Sequence, residues 1–168
     1  MIQTRHIVLL ILTGFFVLLL LMLPPQGVAM SLFPKKEVVL SSPMEGTVTF
    51  KGKPAVGAVL KRKVTWDGKD GHYHTVSTNQ HGEFSLPKIT GLWRPMSFSE
   101  FVVHQEIHVT FNGQKYLVWK MGKMDESLFG ELGGRPVGLT CELTNEFQRV
   151  DVEHGLLGTV CTWDAVNN

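Results

Sequence analysis

Residues 45–87 constrain the fold of this chain more than any other stretch, because their apolar side chains recur at a period of two between clusters of turn formers. In EGTVTF, Val48 and Phe50 point one way while Thr47 and Thr49 point the other, as in a half-buried strand. Residues 51–54 (KGKP) turn the chain. A second strand over residues 55–66 places Ala58, Leu60, Val64 and Trp66 on one face and Lys61, Lys63 and Thr65 on the other. Arg62 falls on the apolar face, which predicts a strand-edge position where its stem packs and its guanidinium reaches water. Residues 67–71 (DGKDG) read as an exposed loop, 72–78 as a third strand, 79–82 (NQHG) as a tight turn and 83–86 as a fourth strand ended by Pro87. Together they predict an antiparallel β unit.

The N-terminus is of another kind. After a short start containing Arg5, residues 7–23 (IVLLILTGFFVLLLLML) are interrupted only by Thr13 and Gly14. A run of seventeen lies between the apolar core of a cleaved signal and the roughly 20 residues of a spanning helix. Residues 1–30 are therefore expected to be either a signal peptide, cleaved after the small residues Gly27, Val28 and Ala29, or a hydrophobic helix anchoring the chain in a membrane through residues 7–23. Either way residues 31–168 are expected to form one exported domain of ordinary single-domain size, outside the cytoplasm. The net charge of +1 argues against nucleic acid as a partner, since that would require a basic field to neutralise phosphates.

In the C-terminal half, Asn112-Gly113 between two β-rich runs predicts a two-residue type I′ hairpin over residues 105–111 and 114–121. Pairing outward from that turn sets Phe111, Val109, Tyr116, Ile107 and Val118 on the core side. The opposite face then carries Thr110 with Lys115, His108 with Leu117 and Glu106 with Trp119. Leu117 and Trp119 are too apolar to stand fully exposed. Either the C-terminal segment covers them, or Glu106, His108, Leu117 and Trp119 form a partner-binding patch with a polar rim. Residues 91–99 are expected to be a loop, and 122–136 a loop with a short helical turn at 126–132. Two more strands are expected at 137–143 and 156–163. Cys141 and Cys161, the only cysteines, predict a disulfide between those two strands in an oxidising compartment.

Chemical constellations are weak. His72 and His74 alternate on one strand face, with Asp67, Asp70 or His81 as a conceivable third metal ligand, yet no supporting pattern accompanies them. Gly-x-Ser-x-Gly is absent, the acids are scattered, and GELGG (130–134) follows no strand. Neither catalytic residues nor a cofactor or metal is expected, and the chain reads as a non-enzyme.

The order Gly-x-Val-x-Phe-x-Gly-x-Pro-Ala-x-Gly-Ala from Gly46, followed by STNQHGEF (77–84) and Pro87, resembles the carboxypeptidase regulatory-like, transthyretin-like β-sandwich family. The resemblance implies an all-β, antiparallel transthyretin-like (prealbumin-like) sandwich of about seven to eight strands, serving as a rigid support without catalysis. With MEGTVTFKGKPA, VVHQEIHVTFNGQKYLVWK and LTCELTNE, the exported part also resembles small proteobacterial envelope proteins, some similar to periplasmic immunity proteins against type VI secretion effectors, lipid-degrading ones among them. It implies a protein soluble in the periplasm or anchored to the inner membrane through residues 7–23, with a secreted toxic effector, such as a phospholipase, as partner. The alternative is a structural or carbohydrate-binding accessory module of the envelope.

Overall fold

The computed structural model describes residues 34–68, 71–95 and 100–167. The expected signal or anchor helix lies outside the described residues. These form fifteen strand segments and no helix: β1 (Lys36–Ser41), β2 (Met44–Phe50), β3 (Lys53–Pro54), β4 (Val59–Trp66), β5 (His72–Ser77), β6 (Glu83–Leu86), β7 (Ile89–Trp93), β8 (Val103–Phe111), β9 (Gln114–Lys123), β10 (Arg135–Val137), β11 (Thr140–Glu142), β12 (Gln148–Val152), β13 (Gly155–Thr159), β14 (Cys161–Thr162) and β15 (Ala165–Asn167). A six-stranded sheet runs β12-β13-β9-β8-β4-β5, and a smaller one runs β14-β11-β2-β3 with β6 also on β2. Two ribbons, β1-β7 and β10-β15, complete the architecture. Pairing is antiparallel except between β2 and β11. The fold is all-β and sandwich-like.

The period-two pattern is what holds the sheets together. Val48, Phe84 and Leu86 of the small sheet meet Leu60, Ile107 and Met121 of the large one in a single buried cluster, each side chain contributing about 1.5–3 kcal/mol by leaving water. Gly52, Gly57 and Gly82 take left-handed conformations at the turns that separate the strands. A second cluster, Val38, Leu40, Val64, Ile89, Phe101 and Val103, lies beneath the β1-β7 ribbon. That ribbon was not expected. Residues 91–93, expected in a loop, pair with residues 36–38, and the Trp93 ring packs tilted against Phe101 with centroids 5.3 Å apart.

Between the two apolar clusters the large sheet carries polar side chains on its inner face. Arg62, expected at an edge with its head in water, is 0% exposed. Its guanidinium donates to Ser41 Oγ and the Ser42 carbonyl, both at 3.2 Å, and to the Pro87 carbonyl. The residue is buried because β1 and the chain after it cross over β4 and supply acceptors, which the local pattern could not show. Desolvation lowers the Arg62 pKa to about 10 against the opposing attraction of Glu131, so the group remains a cation at neutral pH. Lys123, also fully buried, donates to the Val39 carbonyl at 3.1 Å and the Ser127 carbonyl at 2.8 Å. Glu131 offsets both cations. Its carboxylate accepts from the Ser42 N–H (2.9 Å), Ser42 Oγ (2.7 Å) and Gln105 Nε2 (2.9 Å), with Lys123 Nζ at 3.4 Å.

The hairpin confirms its turn and corrects its register. Asn112 and Gly113 have φ of 51° and 73°, as a type I′ turn needs, and Phe111, Thr110, Val109 and His108 pair as expected with Gln114, Lys115, Tyr116 and Leu117. A β-bulge at Val118 then slips the ladder, so Ile107 faces Trp119 and Glu106 faces Lys120. Trp119 consequently turns inward and is 1% exposed. The bulge is anchored by β13, because the Val118 carbonyl accepts from Thr159 Oγ1 at 2.8 Å and the Val160 N–H at 3.2 Å. Residues 126–132 form successive turns rather than helix.

Cys141 and Cys161 are joined by a disulfide, directly opposite each other on β11 and β14. The bridge closes a loop across a sequence separation of 20, and a loop of that size is worth about 3 kcal/mol through the entropy of the unfolded chain. Urea unfolding of the Cys141→Ala/Cys161→Ala protein should show a loss of that size, with β-sheet circular dichroism retained.

Glu142 fixes the turn after β2. Its carboxylate accepts from the N–H groups of Lys51 and Gly52, both at 2.9 Å, and from Thr144. Desolvation alone would raise its pKa, but hydrogen bonds from Thr144, Gly52 and Thr49 outweigh it and bring the value down to about 2. With a folded pKa below the ordinary 4.5, the stabilisation is complete above that value and is lost as pH falls from 4.5 toward 2. In Glu142→Gln, stability measured at pH 7, 5 and 3 should start lower and fall less steeply with acid.

Candidate functional site: the outer face of the six-stranded sheet

Register across the large sheet decides which polar side chains meet on its outer face. One row crosses all six strands as Arg149, Gly158, Lys120, Glu106, Lys63 and Tyr73. The next carries Leu117, His108, Lys61 and Thr75. On the other side run Asp151, Leu156, Gly122, His104 and Thr65. Glu106 pairs with Lys120 at 3.2 Å, and Lys61 Nζ lies 5.0 Å above the Tyr73 ring. With Lys115 at one end, five bases share this face with two carboxylates. The His108 pKa is lowered, first by desolvation and then by Lys115, against the pull of Glu106, so the imidazole is neutral at pH 7.

The same face exposes apolar groups. Leu156 is 56% exposed and Phe147 45%. The Phe147 ring lies over Gly158, close enough that a Cβ there would sit 2.4 Å from it. Gly122, beside Leu156 and His104 in the ladder, has nothing within 4 Å of where a Cβ would be. The backbone at Gly122 is therefore open between Leu156 and His104.

Of the four side chains expected to form a partner patch, the structure brings Glu106, His108 and Leu117 together here, each half-buried. Trp119 is not among them. Its indole belongs to the main core cluster, and its Nε1, without a hydrogen-bond partner, is buried. Lys120 takes its place opposite Glu106. The bases on β4 were visible as an outward-facing Lys61, Lys63 pair, but Leu156 comes from β13, whose pairing to β9 no local pattern announced, Arg149 from β12 beyond it, and Phe147 from just before β12.

Other candidate places are less suited to chemistry. His72 and His74 sit opposite Val64 and Arg62 on the edge strand β5, and desolvation followed by the Arg62 charge lowers the His74 pKa, so a cation would meet repulsion there. Among the described residues no group of three or more His, Cys, Asp or Glu could hold a metal ion. A wide groove of about 1010 Å³ runs along β2 and β6 toward β10, with Glu45 paired to Arg135 at 2.8 Å and Glu83 to Asn79 at 2.7 Å. Among the described residues no helix is long and apolar enough to cross a membrane.

A family model described as a domain of unknown function (DUF6795) matches residues 44–146, more than half of the chain. The chain belongs to that family. The DUF6795 span runs from β2 through β11, so it holds β4, β8 and β9 of the candidate face. Strands β12 and β13, which add Arg149 and Leu156, lie beyond it. No curated protein and no solved structure matches the chain.

Proposed function

We propose that this DUF6795 protein is a non-enzymatic immunity protein of the periplasm, exported by its N-terminal apolar segment, that binds and neutralises a type VI secretion effector such as a phospholipase. The observation that carries this reading is the open face on which Glu106, His108 and Leu117 stand with exposed apolar groups and a basic surround, the composition of a protein contact rather than of a reaction centre. The scaffold is taken as a transthyretin-like, carboxypeptidase regulatory-like sandwich, with residues 31–168 as its single domain. The disulfide suits an oxidising compartment. Co-expression with lipases or nucleases encoded beside its gene and directed to the periplasm should restore growth. Failure to protect against any of them, with the protein present and exported, would retire the reading.

The polar groove between β6 and β10 favours a second reading, a carbohydrate-binding or structural accessory module of the envelope, since paired carboxylate, guanidinium and amide groups around Glu45 and Glu83 could meet sugar hydroxyls. Such a module would leave toxin sensitivity unchanged and would retain binding to cell-wall glycan in pull-down.

A further inference from the structure

The immunity reading leaves open which surface meets the effector and what chemistry that effector presents. We infer that the outer face of the six-stranded sheet docks an acidic protein surface, seated over Gly122 and Leu156 and held by the bases of the neighbouring rows; this rests on the reading of the chain as an effector-binding protein. Charge segregation is the first support. The whole chain carries only +1, yet this one face sets Lys61, Lys63, Lys115, Lys120 and Arg149 against Glu106 and Asp151. The remainder of the chain is therefore net acidic. A neutral protein with one basic face orients an acidic partner during approach and disfavours other orientations.

Placement of the apolar groups is the second support. Leu156 pairs with Gly122, and the Phe147 ring covers Gly158. Arg149, Lys120 and Lys63 line the adjacent row, so water can be expelled from this apolar strip while charge pairs form along its border. Glu106 and Asp151 each stand beside a base, at 3.2 Å from Lys120 and 3.5 Å from Arg149, which leaves Lys61, Lys63 and Lys115 in excess. A folded partner can set its acids opposite those three bases and away from the two carboxylates, whereas a bilayer of anionic headgroups would bring both carboxylates into its negative layer, so the pattern favours a protein over a lipid surface.

Gly122 supplies a test that leaves the fold alone. A side chain there meets nothing within 4 Å and needs no left-handed backbone, so Gly122→Glu should keep its thermal midpoint while placing a bulky negative group on the face. The full-length protein, carrying a photo-reactive phenylalanine analogue at Lys63, Lys120 or Leu156, or at Glu83 or Thr140 in the groove, is crosslinked in the cells that make it, and the adduct is identified by mass. Affinity of the purified adduct partner is then measured against NaCl. The expected result is one acidic protein captured from the face positions, whose Kd rises at least tenfold between 50 and 300 mM NaCl and at least tenfold in Gly122→Glu and in Lys63→Glu/Lys120→Glu. Adducts only from the groove positions, a phospholipid adduct, no adduct from the face, or a Kd indifferent to salt and to Gly122→Glu would each overturn the inference. The two readings separate cleanly. A face-bound acidic protein that is no toxin retires immunity and keeps the docking surface, whereas a neutralised toxin held only by the groove does the reverse.

Discussion

Replacing Glu131 by alanine is expected to lower the unfolding free energy by about 3–5 kcal/mol, the cost of leaving buried charge uncompensated. Glu131 is the acidic partner of Lys123 and lies within the field of Arg62, both cations being fully out of water. It also satisfies the Ser42 N–H and hydroxyl and the Gln105 amide. Removing it leaves two cations facing each other's field in a low-dielectric interior, and Gln105, whose Oε1 already lacks a partner, loses one of its donors' acceptors. Urea denaturation of Glu131→Ala measures the loss. Adding Lys123→Met should recover part of it, since a similar volume without charge needs no counter-ion. A second variant that falls further would show that Lys123 holds the ribbon through its contacts with Val39 and Ser127 rather than depending on Glu131.

Trp119→Ala should cost about 3–5 kcal/mol as well, for a different reason. The indole is among the largest buried side chains and packs in the main core, so truncation removes its transfer free energy and leaves a cavity that rigid strands cannot close. A partner-binding residue would behave otherwise, leaving stability intact and weakening only the complex. Trp119→Phe separates the two contributions to its burial. Nε1 has no protein partner, and Trp119 lines, with Ser42 and Glu131, a cavity of about 20 Å³ that is large enough for a single water. If such a water accepts from Nε1, Trp119→Phe should lose clearly more than its change of volume; a loss of under about 1 kcal/mol would place the indole N–H in a dry site.

These two residues mark where reading the chain by itself ran short. Alternation located β2, β4, β5 and β6, and Asn112-Gly113 located the hairpin, because strand period and turn chemistry are properties of a few adjacent residues. The candidate face was half legible in the same way, through Lys61, Lys63, Glu106, His108 and Leu117. Extending the ladder past Val118 failed. A bulge costs one residue of register and reverses every later side chain, and here its carbonyl is satisfied by Thr159 and Val160 from a strand some forty residues on. Nothing beside Val118 could signal that. The ribbon of β1 and β7 was missed because Gly91 and Trp93 resemble loop residues until Lys36–Ser41 pairs with them.

The sequence alone determined the β class, the tight turn at Asn112-Gly113 and the pairing of its two cysteines, since each follows from local conformational preference or from having a single possible partner. Tertiary structure decided which side of β9 Trp119 occupies, why Arg62 and Lys123 can be inside, and which bases and apolar groups share the outer face. Those outcomes depend on hydrogen-bond acceptors and strand neighbours brought from distant parts of the chain, and a buried charge or a shifted register has a low free energy only once they have arrived.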